Sequence, residues 1–247
     1  MDADHAITPA IHSRIDPGLT VPQREVRVVQ ATRLLINDAR EARLDVHEGV
    51  RLPDIALLAL LQHHGAATPL LDVSLDPLVG LYMAVEGPDG VKTDEDGVLL
   101  ALKRPLMEVP SFTTASFEDV YGQLMKSKKV AFYTSPPVSN RLLIQRGAFL
   151  LSSVSNHAMT SMNLNMDTHG GSASWLSTFL EHVGTQGSVR TSGDVGAYRV
   201  AGPIKTTLKV WLENRTGLTT ETVLPPAWHS PHLDAFCSSH SRSVPFT

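Results

Sequence analysis

Gln62, His63, Thr68, Asp72 and Ser74 stand close together inside the run "LLQHHGAATPLLDVSLDPLVGLYMAVEG" (60–87). A carboxylate, an imidazole, an amide and two hydroxyls can bind a polar ligand or move a proton. Thr68, Asp72 and Ser74 hold even positions on a short extended segment, while Leu71 and Val73 point the other way. One face of that strand therefore presents polar groups and the other presents apolar ones. Asp72 stands between apolar neighbours and needs a partner. Thr68 has a simpler role open to it, tying down local backbone amides as turn residues do.

Other chemistries fit poorly. Adjacent side chains on a helix point about 100° apart, so His63 and His64 do not converge on one metal ion, and no Cys or Glu nearby completes a zinc set. His169, His182 and His229 are scattered. Gly87, Gly90 and Gly97 do not precede the Lys-Ser/Thr of a phosphate loop, and there is no Gly-x-Ser-x-Gly elbow. A Ser74–His63–Asp72 triad can be drawn, but a chain with eleven histidines permits many such drawings.

The elements that must position these groups follow from the surrounding pattern. Pro22 opens a helix running to about Leu44, with Val26, Val29, Leu34 and Leu35 as its apolar residues. Asp54 caps a second helix, apolar nearly all round, that Gly65 stops after His64. Asp76 and Pro77 start a third, with Leu78, Leu81, Tyr82 and Val85 on one face. Strands are expected at 97–102 (buried), 129–135 and 147–153, and a last helix from near Pro203 to Gly217 with Leu208, Trp211 and Leu212 on one stripe. Leu57, Leu58, Leu61, Leu70, Leu71, Leu81 and Phe149 are expected to share one core. There is no regular βαβ alternation, so the fold class is α+β, a small mixed or antiparallel sheet packed by several helices.

Composition narrows the function further. The chain has 247 residues, 42% of them hydrophobic, and a formal charge of −4. No basic field exists for nucleic acid; Lys126, Lys128 and Lys129 read as a solvated loop before a strand. No window reaches the roughly 18 apolar residues of a membrane span. The N-terminus has no secretory pattern, and the single cysteine, Cys237, fits a reducing compartment. The expected location is cytoplasmic. Residues 156–197 read as a polar insertion and 237–247 as a flexible tail.

The run at 60–87 resembles the signature of the FRG domain. That family reads Gln-His-aromatic-Gly, then Thr-Arg-Leu-Leu-Asp-Trp-Thr, then a Pro-led helix with Ala-Leu-Tyr-Phe-Ala. Gln62, His63, Gly65, Thr68, Leu70, Leu71, Asp72, Pro77, Leu81, Tyr82 and Ala84 hold matching positions. "SNRLLIQRGAFLL" (139–151) is similar to the family's Arg-x-x-x-Gln-x-Gly-x-Phe, through Arg141, Gln145, Gly147 and Phe149. "ITPAIHSRI" (7–15) and "IKTTLKVWLENRTGLTTETVLPP" (204–226) resemble two further elements, so the likeness spans about 7–236. Pro69, Val73, Ser74 and His64 depart from the pattern, and the Phe/Tyr-Arg-Gly that names the family belongs upstream of Ile7. Either translation begins earlier or this copy lacks that strand.

The family's motif order is similar to that of ADP-ribosyltransferases. That likeness implies an NAD-binding effector, a toxin or a phage-defence protein. Its ligand-binding residues would be Gln62, His63, Thr68, Asp72, Ser74, Tyr82, Arg141 and Gln145, with Gln145, Asp72 and His63 as catalytic candidates. In such a site arginine steadies a pyrophosphate and a carboxylate stabilises an oxocarbenium-like transition state. Here the third motif reads "QRGAF", without glutamate, and Glu181 lies in the variable region. A non-catalytic binding or sensing module for a nucleotide or other small molecule, and a degenerate copy, stand beside the enzyme reading.

Overall fold

The computed structural model describes residues 7–86, 95–105, 107–156, 160–165, 190–192, 194–224 and 230–241. A single 3-10 turn, His12–Arg14, precedes α1 (Val21–Glu41). Gln23 in the first turn of α1 accepts from the Thr20 amide at 2.9 Å, satisfying one of the free helix-end donors. A short hairpin, β1 (Val46–His47) and β2 (Val50–Arg51), leads to α2 (Asp54–His63). Then come β3 (Leu70–Ser74), α3 (Pro77–Glu86), β4 (Gly97–Leu102), β5 (Met107–Val109), α4 (Phe117–Ser127), β6 (Val130–Tyr133), α5 (Asn140–Ile144) and β7 (Gly147–Ser152). The described chain continues with β8 (Arg190–Ser192), β9 (Val195–Val200), α6 (Gly202–Thr216), α7 (Thr220–Val223) and α8 (Pro231–Ser239).

The fold is α+β, with two sheets beside the hairpin. The larger has the order β3-β7-β6-β5; it is mixed, because β5 runs parallel to β6 while the other pairs are antiparallel. The smaller is antiparallel, ordered β4-β9-β8. A helix apolar on all sides must be covered on all sides, and Ile55 through Leu61 of α2 are all buried. They join Val28, Leu35 and Ile36 of α1, Phe117, Tyr121 and Leu124 of α4, and Leu70, Tyr133, Phe149 and Leu151 from one face of the larger sheet. The opposite face contributes Val130, Phe132, Ala148 and Leu150 to a second cluster, which Leu100 and Leu102 of β4 and Val195 of β9 close. A third cluster joins Val79, Tyr82 and Val85 of α3 to Val200, Leu212 and Val223.

The expected single core is therefore divided. Leu57, Leu58, Leu61, Leu70 and Phe149 share the first cluster. Leu71 lies against the second and Leu81 against the third. The pleat is the cause, since Leu71 faces away from Leu70. Val26 and Leu34 are exposed rather than core-facing, and so are Leu78 and Trp211. In α1 the buried stripe is Val28, Ala31, Leu35, Ile36 and Ala39, with Glu25 beside it accepting from Lys128 at 2.7 Å. β4 is half-buried, because only one of its faces packs on the second cluster.

Two polar arrangements fasten the helices. Asp54 does not cap its own helix, where Pro53 takes the N-cap position. Its carboxylate instead meets Arg40 of α1 at 2.5 Å and accepts from the Phe117 amide at the start of α4 at 2.9 Å. Asp76 does cap α3, accepting from Leu78 N at 2.9 Å. Most of the stretch read as a polar insertion lies outside the described residues, as do Glu181 and the segment 225–229; its final part forms β8 and the first half of β9. Of the stretch 237–247 read as a tail, residues 237–241 are described. Cys237 is buried, the His240 carbonyl accepts from Ala67 N at 2.8 Å, and Ser241 bridges to Ala66. No helix among the described residues is long and apolar enough to cross a membrane.

Candidate functional site

α2 ends where Gly65 takes a left-handed φ of 91°, and the chain turns into β3. This turn brings Gln62 against the strand. Thr68 donates to Gln62 Oε1 at 2.7 Å and accepts from its near neighbour Leu70 N at 3.1 Å. Gln62 then donates through Nε2 to Asp72 Oδ2 at 2.6 Å. The three side chains form one directed relay, Thr68 to Gln62 to Asp72. Thr68 is buried, whereas Asp72 opens to solvent. Protein crowds the carboxylate even so, and that desolvation raises its pKa against the Gln62 hydrogen bond and the positive charge of Arg141.

His63 and His64 diverge. Their rings meet edge-on with centroids 5.9 Å apart. His64 Nδ1 lies 2.8 Å from Asp234 on α8, a partner 170 residues away. His63 Nε2 is buried without a hydrogen-bond partner. Desolvation, with Arg141 and His64 adding repulsion, lowers the His63 pKa to about 4. The ring is thus neutral at pH 7. Among the described residues no group of three or more His, Cys, Asp or Glu could hold a metal ion.

α5 carries Arg141, started by Ser139, whose hydroxyl accepts from Leu142 N at 3.2 Å. Arg141 acts electrostatically on both Asp72 and His63, so it lies near each. Gln145 ends the same helix. Its side-chain amide donates to the Val223 carbonyl at 2.8 Å, and its own carbonyl accepts from Ser74 at 2.7 Å. Ser74 also accepts from Asp76 N at 3.0 Å. These bonds hold β3, α5 and α7 together. Tyr82 belongs to another neighbourhood. It is fully buried in the third cluster, its hydroxyl 3.2 Å from Thr220, which donates to Glu86 at 2.8 Å.

The structure thus gathers Gln62, Thr68, Asp72, Arg141 and His63, uses Ser74 and Gln145 as fasteners, and leaves Tyr82 in a separate core. A cavity of about 400 Å³ lies beside His63 and Arg141, and Arg43, His64, Asn140 and Leu233 also line it. Arg43, Asn140 and Asp234 carry no local motif, and only the folded chain brings them here.

The residues that form the relay fall in the segment that matches a known family: residues 1–93 match the family model of the FRG domain. This segment is similar to the FRG domain. The match includes Gln62, His63, Thr68, Asp72 and Ser74, and bears out the resemblance drawn from the run at 60–87. Arg141 and Gln145 lie beyond the matched segment; the Gln145 carbonyl accepts from Ser74 of β3, and Arg141 acts electrostatically on Asp72. No curated protein and no solved structure matches the chain.

Proposed function

We propose that this FRG domain-containing protein is a small-molecule binding module. Its ligand carries hydroxyl groups that donate to Asp72, and NAD and ADP-ribose, with their ribose diols, are the first ligands to test. The relay Thr68–Gln62–Asp72 carries this reading. The buried hydroxyl and the amide fix one oxygen of the carboxylate and leave the group accessible, so it is set in place before any ligand arrives. Arg141 supplies positive charge beside it for a ligand phosphate.

A binding role is favoured over transfer of ADP-ribose because of Gln145. That residue would serve as the acidic-element counterpart in a transferase, yet its side chain is engaged with the Val223 carbonyl. A toxin or phage-defence role would then come through sensing a nucleotide rather than consuming it.

Calorimetry with NAD and ADP-ribose on the full chain tests the proposal. A hydrogen bond to a charged group is worth about 1.5–3 kcal/mol, so Asp72→Ala should weaken binding at least about tenfold. Absence of binding, or binding that Asp72→Ala leaves unchanged, refutes it. Release of nicotinamide from NAD by the wild type, lost in Asp72→Ala, would replace the binding module with an enzyme.

A further inference from the structure

The cavity beside Arg141 and His63 has its own character. Thr68, Gln62 and Asp72 do not line it. Its walls come from four places: the C-terminal end of α1 (Arg43, Leu44), the β1–β2 hairpin (Val46, His47, Glu48), the end of α2 (Leu60, His63, His64), and the 137–141 segment with Ser230 and Leu233 at α8. Its volume of about 400 Å³ suits a small organic molecule. Leu44, Leu60, Val138 and Leu233 give it apolar walls. Among the lining residues, two guanidinium groups, Arg43 and Arg141, face one carboxylate, Glu48.

We propose that this cavity binds a small organic anion, a carboxylate or a phosphate monoester on an apolar body. Two buried polar atoms without a partner belong to its walls, Nε of Arg141 and Nε2 of His63. Two arginines among the lining residues give an anionic group cations to pair with. Asp234, the other nearby acid, is already engaged by His64.

The end of α1 fixes where Arg43 stands. Arg43 and Glu48 have φ of 57° and 50°, two of the four non-glycine residues in the left-handed region among those described. Arg43 follows α1 at a position where glycine is the easy choice. Leu44 N donates to the Ala39 carbonyl at 2.8 Å across this turn, and the closed helix end sets Arg43 among the cavity's lining residues.

The test uses the full chain with three probes of similar size, benzoate, phenyl phosphate and uncharged phenol, titrated by calorimetry. None carries a ribose diol, so the result does not depend on the Asp72 reading. At least one anion should bind, and phenol at least tenfold more weakly; which anion binds better assigns the carboxylate or the phosphate. Arg43→Asn removes the charge with a residue that tolerates left-handed backbone, and should weaken the anion tenfold or more with an unchanged melting temperature. Asp72→Ala should leave anion binding intact. If neither anion binds at millimolar concentration, if phenol binds as well as they do, or if Arg43→Asn binds like the wild type, the proposal is wrong. Arg141→Gln is a second variant with the same expectation, so a folding failure in one leaves the test standing.

Discussion

Replacing Gly97 by alanine puts a number on the packing of α3 against β4. A Cβ built at Gly97 would lie 2.2 Å from the Ala84 carbonyl oxygen, where ordinary contact starts at 3.4 Å. The helix and strand must therefore separate by about 1.2 Å, and the obstacle is backbone, which cannot rotate aside. The φ of Gly97 lies outside the left-handed region, so alanine brings no backbone strain of its own. It should even gain about 0.4–1 kcal/mol from a stiffer unfolded chain. Overpacking costs about 1–3 kcal/mol, so the clash wins and a net loss of about 1–2 kcal/mol is expected. Gly122→Ala is the internal control. Gly122 sits inside α4 with open space where its Cβ would go, and alanine there should add about 0.5–1 kcal/mol. Urea unfolding followed by far-ultraviolet circular dichroism measures both. Equal or greater stability for Gly97→Ala would refute the close approach of Ala84 to β4.

Three further outcomes are expected. Leu70→Ala should cost about 3–5 kcal/mol, because Leu70 is fully buried in the helix-side cluster, while half-buried Leu71→Ala should cost roughly half as much; similar losses in the same unfolding assay would contradict the two-faced strand. Burial lowers both His12 and His63 from 6.5 to about 4. Between those values the unfolded chain binds more protons than the folded one, so stability should fall as pH drops from about 6.5 to about 4. His12→Gln, measured by urea unfolding across that range, should flatten the slope; Asp72, raised from 3.8, acts in the opposite sense. Cys237 is fully buried and its thiol is pushed up to about 12. It should react with a chromogenic disulfide only as fast as the protein opens, and at the rate of a free thiol in denaturant.

Local rules carried much of the fold. The all-round apolar character of 55–61, the Asp76-Pro77 start and the left-handed Gly65 and Gly217 are short-range signals, and the elements they mark are present. Alternation in β3 likewise separated Asp72 from Leu71 and Val73. What escaped was non-local. Nothing in the order of residues says that Leu71 faces a second sheet built partly from β9, or that α8 returns beside α2. Exposed Val26, Leu34 and Trp211 show that hydrophobicity marks a face only when a partner is present to cover it. At the site, Gln62 and Thr68 could be named from the motif, whereas the engagement of Gln145 with Val223 and the arrival of Arg43 depend on how helices dock.

The strap at residues 237–241 has a consequence for synthesis. The Ala66–Ala67 segment, which joins Gln62 to β3, is pinned by His240 and Ser241. His64 at the end of α2 likewise waits for Asp234. A chain leaving the ribosome has made every residue of the relay by position 72, yet the groups that clamp it emerge much later. Contacts of such long sequence separation form late and slowly. The turn between Gln62 and β3 is thus completed only after the C-terminal segment has been made and has docked.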